Sequence, residues 1–146
     1  MLMKKTLVAL MFVAIATPLF AADGPYIPTN SERANWTMYD MMAWRTCFGA
    51  YASDHGNKYP EVKSAEEARA LFEPIYVMHL PMTDAWGRPY AVESNAKDYK
   101  VVSSGADGKF DRTSWSTGGV LKSFDEDAVA THDGNWVFRH WTVATK

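Results

Sequence analysis

From residue 31 to about residue 54 the chain has no proline, and its single glycine, Gly49, falls near the end. Trp36, Tyr39, Ala43, Cys47, Ala50 and Tyr51 recur at three- and four-residue spacings, the period that sets side chains on one face of an α-helix. The pattern predicts a helix with that stripe turned to the core. Met38, Met41, Met42, Trp44 and Phe48 carry apolar surface around its sides, and such a helix needs more than one partner face. Thr29 with Glu32 three residues on forms a capping-box signature at the start. At the other end, Gly56 in His55-Gly56-Asn57 suits the left-handed conformation that closes a helix.

A shorter helix is predicted over 64–73, with Ser64 before it, Glu66 and Glu67 in its first turn and Pro74 as the stop. Beyond it the period changes. Residues 89–92, 99–103, 128–131 and 136–141 are short runs rich in β-branched or aromatic side chains, and His132-Asp133-Gly134-Asn135 is a hairpin turn joining the last two. One long helix followed by strands implies an α+β fold, a long N-terminal helix packed on a small antiparallel sheet. Between the second and third runs lies 103–127, SSGADGKFDRTSWSTGGVLKSFDED, which follows neither period. Long irregular loops inside a compact domain are uncommon, and those that exist are functional or disordered.

The first residues belong to targeting rather than to the fold. Lys4 and Lys5, an apolar run over 6–16 and a small-residue end at Ala21-Ala22 have the organisation of a secretory signal peptide over 1–22. Cleavage after Ala21 or Ala22 is expected, leaving one domain, 23–146, periplasmic or secreted, with no membrane span. Loss of the two leader lysines takes the 15 basic residues to 13 against 17 acidic ones. A mildly acidic chain without a basic stripe argues against nucleic acid as a partner. Cys47 is the only cysteine, so no internal disulfide can form, and its setting between Thr46 and Phe48 reads as a small buried thiol.

Catalytic signatures are missing. The four histidines, His55, His79, His132 and His140, have no zinc-motif spacing, and no nucleophile elbow or phosphate-cradling glycine loop occurs. Ser103-Ser104-Gly105 reads as a strand end, and Glu66 and Glu67, adjacent on a helix, point in different directions. The chain is therefore read as non-enzymatic. Six tryptophans and seven tyrosines raise an alternative, a secreted ligand- or carbohydrate-binding module using exposed aromatics. On a strand, Trp136, Phe138 and His140 would share one face and Val137, Arg139 and Trp141 the other.

The acidic loop holds the remaining chemistry. Asp107-Gly108-Lys109-Phe110-Asp111 begins like a calcium loop, and Asp125-Glu126-Asp127 supplies a second carboxylate cluster. It is not an EF-hand, because Gly118 stands where the bidentate glutamate belongs. Calcium accepts six to eight oxygens in flexible geometry, and a glycine-rich loop bends readily around an ion. Composition alone leaves a solvated loop and a calcium loop both open.

Two stretches, YASDHGNKYP over 51–60 and LPMTDAWGRPYAVESNAKDYKVVSSGADGKFD over 80–111, resemble the globular domain of the major pseudopilin of type II secretion, the protein G family. The matching steps are the Tyr-Pro pair at Tyr59-Pro60, then Leu80-Pro81, Asp84-Ala85-Trp86-Gly87-Arg88-Pro89-Tyr90 and Ser103-Ser104-Gly105-Ala106-Asp107-Gly108. The resemblance implies a structural Ca2+ held by Asp107, Asp125 and Asp127, with Asp111 as a further candidate, together with backbone carbonyls. It also implies a protein partner within an envelope or protein-secretion assembly. The chain departs from the family in lacking the N-terminal Gly-Phe-Thr-Leu-Ile-Glu motif, and Asn57 and Lys58 are interposed between Gly56 and Tyr59.

Overall fold

A computed structural model describes residues 24–133 and 139–142. The leader, the second half of the turn at Gly134-Asn135 and the aromatic pair Trp136 and Phe138 lie outside the described residues. Helix α1 spans Asn30–Asp54 and begins as its capping box requires: Glu32 N donates to Thr29 Oγ1 while Thr29 N donates to the Glu32 carboxylate. Its end is closed by Gly56 (φ 65°) and Asn57 (φ 60°), and Asn57 N donates to Ala52 O at 2.8 Å.

The buried face of α1 is not the stripe expected. Ala34, Thr37, Met38, Met41, Trp44, Cys47, Phe48 and Ala52 face inward, whereas Trp36 and Tyr39 are 44 % and 58 % exposed. Two overlapping apolar stripes run along this helix, and only one can meet the sheet. The stripe carrying Met41, Trp44 and Phe48 wins because those side chains fill the space beside Phe72, Tyr90 and Tyr99. Phe48 stacks on Tyr99 at 4.3 Å and meets Phe72 edge-on at 4.9 Å. Helix α2, Ala65–Phe72, lies where the sequence places it. Glu67 N donates to Ser64 Oγ, and Ala65, Ala68 and Phe72 are buried at helical spacing.

Five strands follow: β1 (Ala91–Asn95), β2 (Asp98–Ser103), β3 (Gly119–Leu121), β4 (Ala128–Thr131) and β5 (Arg139–Trp141), in the spatial order β1-β2-β4-β5-β3. β1–β2, β2–β4 and β4–β5 pair antiparallel, with Val92 opposite Val101 and Val101 opposite Ala130. β3 pairs with β5 in parallel, Val120 opposite His140, so the sheet is mixed rather than antiparallel. β3 comes from inside the segment expected to be irregular. Three residues preceded by Gly118 carry too little period to announce a strand, and their partner is distant in sequence.

Alternation along β2 and β4 gives the sheet two different faces. Val101, Ala128 and Ala130 join the cluster under α1, while Val102 and Val129 point the other way and pack with Trp115. Segment 103–127 therefore serves both sides of the sheet. Its first half, through Trp115, covers the second face, while β3 extends the sheet and Leu121 and Phe124 pack with the cluster under α1. The part over the second face is a coat with one large ring, Trp115, and Arg112–Ser114 forms a single 3-10 turn leading into that ring.

Candidate functional site

Two motifs singled out in the sequence meet at the start of the coat. Asp84 is 4 % exposed and organises the turn around it: its Oδ1 accepts from Trp86 N and Arg88 N, both at 3.0 Å. Its Oδ2 accepts from Ser103 Oγ at 2.7 Å, which ties this turn to the end of β2. Arg88 Nη1 then donates to Gly105 O at 3.0 Å. Trp86 is half-buried, packs edge-on against Trp141 at 5.4 Å and donates from Nε1 to Asn30 Oδ1. DAWGRPY is thus a structural turn whose polar groups brace the next motif.

Gly105 cannot carry a side chain in this arrangement. Its φ is 66°, and a Cβ would sit 2.3 Å from Phe124 O and 2.9 Å from Glu126 O. Ala106 N donates to the same Phe124 O at 2.7 Å. The backbone on either side of the segment is therefore pressed together, bringing Asp107 and Asp111 near Asp125 and Asp127. All four line one pocket of about 240 Å3, shared with Lys109 and Arg139.

Within it the carboxylates are held differently. Asp107 Oδ1 accepts from Lys109 N at 2.9 Å and Asp111 Oδ1 from Thr113 N at 3.1 Å, both local turns. Asp127 is 2 % exposed, and its Oδ2 accepts from Trp115 Nε1 at 2.6 Å and from Asp111 N at 2.8 Å. Its Oδ1 is buried and has no hydrogen-bond partner among the described residues. Burial raises the Asp127 pKa above the ordinary carboxylate range, against the opposing pull of its bonds to Trp115 and Asp111 N, and the charges of Asp111 and Asp107 push the same way as burial.

The nearby cation does not cancel that charge. Arg139 Nη2 pairs with Glu126 Oε1 at 2.9 Å, and its Nε donates to Asp127 O, not to the carboxylate. Glu126 also accepts from Lys122 N and Ser123 N. Although burial works against its charge, these backbone bonds and Arg139 hold the Glu126 pKa below the ordinary value. Among the described residues, no three His, Cys, Asp or Glu side chains are grouped so as to hold a metal ion. The groups on its wall able to ligate a metal are carboxylates and the Ser114 hydroxyl, oxygen donors of the kind a hard cation takes, with no imidazole or thiol, and the cationic Lys109 and Arg139 share the lining.

Other candidates resolve into structure. Ser103 Oγ is committed to Asp84 and accepts from Gly105 N, so it is not poised as a nucleophile. Cys47 is buried, and burial raises its pKa, which disfavours the reactive thiolate. His55 stacks on Tyr51 at 3.7 Å at the end of α1. His132 bridges Asp98 at 2.6 Å and Asp133 at 3.1 Å. Sequence reasoning gave Trp115, Arg139 and Asp84 no part in the loop, and their roles depend on contacts across the fold.

No helix among the described residues is long and apolar enough to cross a membrane. Comparison with protein-family models, with curated proteins and with solved structures returned no match.

Proposed function

We propose that this chain is an exported, non-enzymatic domain of pseudopilin type, in which Ca2+ joins the two ends of segment 103–127. Its role would be that of a partner-binding component of an envelope or protein-secretion assembly. The observation that carries the calcium reading is Asp127: a carboxylate 2 % exposed, with one oxygen lacking a partner, on the wall of a pocket shared with three other aspartates. A buried anion left half-satisfied is costly and is relieved by a proton or a cation. Asp107, Asp111, Asp125 and Asp127 would hold the ion, and its chemistry is charge neutralisation and loop bracing. The pseudopilin reading is supported by DAWGRPY and SSGADG, whose residues brace one another through Asp84–Ser103 and Arg88–Gly105.

Binding to the folded state alone stabilises it by RT ln(1 + [L]/Kd), about 2.7 kcal/mol at 100 times Kd. Calorimetric titration of the exported domain should show saturable Ca2+ binding, with Mg2+ a poor substitute because it sheds water reluctantly. Absence of binding heat at millimolar Ca2+ would remove the metal from the proposal. Affinity capture from envelope extracts, returning secretion components, tests the assembly role separately.

A further inference from the structure

Asp127 Oδ1 is not the only buried oxygen of this region without a hydrogen-bond partner among the described residues. The hydroxyl of Ser104, a residue 1 % exposed, is another. The sheet register sets the two opposite each other. Antiparallel pairing of β2 with β4 runs to Ser103 opposite Ala128, and beyond it Gly105 is pressed against Glu126 O. Ser104 and Asp127 are the facing pair between these two steps. By alternation they lie on the side of Val102 and Val129, where Trp115 packs and donates to the other Asp127 oxygen. Asp127 O accepts from Arg139 Nε on β5, so that carbonyl is turned away from β2. The 104–127 pair is thus of the non-hydrogen-bonded kind, in which facing side chains come closest.

Two unsatisfied oxygens in facing positions point to one shared occupant. They do not bond to each other, since neither has a partner. Facing Cβ atoms of an antiparallel pair stand about 4.5–5.5 Å apart. A calcium ion takes its oxygens at about 2.3–2.6 Å, so one ion can touch both side chains. Each burial is costly while its oxygen goes unmatched. A hydroxyl also suits this place, because it adds an oxygen without adding negative charge beside Asp107, Asp111, Asp125 and Glu126.

We propose that Ser104 Oγ, facing Asp127 across β2 and β4, is a further ligand of the cation at the inner end of the aspartate pocket. The inference rests on the calcium reading above and goes beyond it. The ion is held by the sheet as well as by the loop, joining the end of β2 to the start of β4 where their regular pairing stops.

The test is calorimetric titration of the whole exported domain, as wild type, Ser104→Ala and Ser104→Cys, with Ca2+ and with Cd2+. Ser104→Ala should bind Ca2+ about tenfold more weakly, the low end of what losing a group around a metal site costs. Its melting temperature under chelator should be no lower than that of the wild type, because the hydroxyl has no bond to lose. Ser104→Cys should lose Ca2+ affinity likewise and gain affinity for Cd2+, which prefers a soft thiolate. Thiolate-to-cadmium absorption should accompany that gain and be missing from the wild type, whose one cysteine, Cys47, is buried under α1. No Ca2+ binding by the wild type would remove the calcium reading and this ligand with it. Equal Ca2+ binding by the wild type and both folded variants, with no cadmium gain in Ser104→Cys, would leave the ion in place and overturn the role of Ser104 alone.

Discussion

On one face of the sheet, α1 sets Met41, Trp44 and Phe48 against Val101, Ala128 and Ala130; on the other, segment 103–127 sets one large ring, Trp115, against Val102 and Val129. The first face is closed by apolar area, at roughly 25 cal/mol for each Å2 removed from water. The second has little apolar area to bury and is held by polar contacts: Asp111 N and Trp115 Nε1 on Asp127, Lys122 N and Ser123 N on Glu126, and Arg139 across both. The contrast predicts two kinds of sensitivity. The helical face should respond to changes in side-chain volume. The coated face should respond to charge, backbone strain and cations.

The largest effect belongs to the first face. Trp44 is fully buried, touches Phe48, Phe72 and Tyr90, and donates to Pro81 O at 2.8 Å. Trp44→Ala should cost about 3–5 kcal/mol in chemical denaturation, unaltered by added calcium. Gly105→Ala comes next and acts on the coat. Left-handed strain alone costs about 1–3 kcal/mol, and the contact with Phe124 O requires the backbone to move. Limited proteolysis should then cut within 103–127 before the rest of the domain opens. If cleavage begins elsewhere, the two faces are not separable in this way.

Asp84→Ala should fall between the faces, since it strands the N–H groups of Trp86 and Arg88 and the hydroxyl of Ser103. A loss of about 1–3 kcal/mol is expected for buried donors left unpaired, read as a lowered denaturation midpoint. Thr29→Ala, at the start of α1, should cost about 1 kcal/mol and leave any calcium response intact. A change in that response would show that the first face and the coat are coupled.

The sequence made the helix ends legible because caps are local: Thr29, Glu32, Ser64 and Gly56 act on residues within one turn of themselves. It made β2 and β4 legible because their β-branched runs are buried. It did not reveal which stripe of α1 faces inward, since apolar residues surround that helix and only the shapes of Phe72, Tyr90 and Tyr99 decide between Trp36 and Trp44. Nor did it reveal β3, whose parallel pairing with β5 is a long-range contact with no periodic trace. The aspartates at 107, 111, 125 and 127 stood out by type, and the structure sets them around one pocket. Their unequal burial, with Asp127 hidden under Trp115, could be read only from the folded chain.

The Asp127 carboxylate gives the coat a pH dependence of defined sign. Burial, assisted by the Asp111 and Asp107 charges, raises its folded pKa, so the folded state holds this proton more tightly than the unfolded chain does. Without calcium, its ionisation costs stability as pH rises from the unfolded carboxylate pKa through the raised folded one, and mild acidification recovers it. Glu126, whose pKa is lowered, has the opposite sign: its contribution is lost as pH falls through its folded pKa. Comparing wild type with Asp127→Asn isolates the first group, because Asn accepts the same Trp115 and Asp111 hydrogen bonds without the charge.

That pair of proteins also tests the central claim most directly, in melting curves at neutral pH with calcium and with chelator. Under chelator, Asp127→Asn should melt at or above the wild type, because a buried charge has gone. With calcium the wild type should rise, by an amount equivalent to about 2.7 kcal/mol at 100 times Kd, and Asp127→Asn should not move. A wild-type curve indifferent to calcium, or an Asn variant that keeps the full calcium response, would contradict the proposal that a cation on Asp127 holds the second face of the sheet closed.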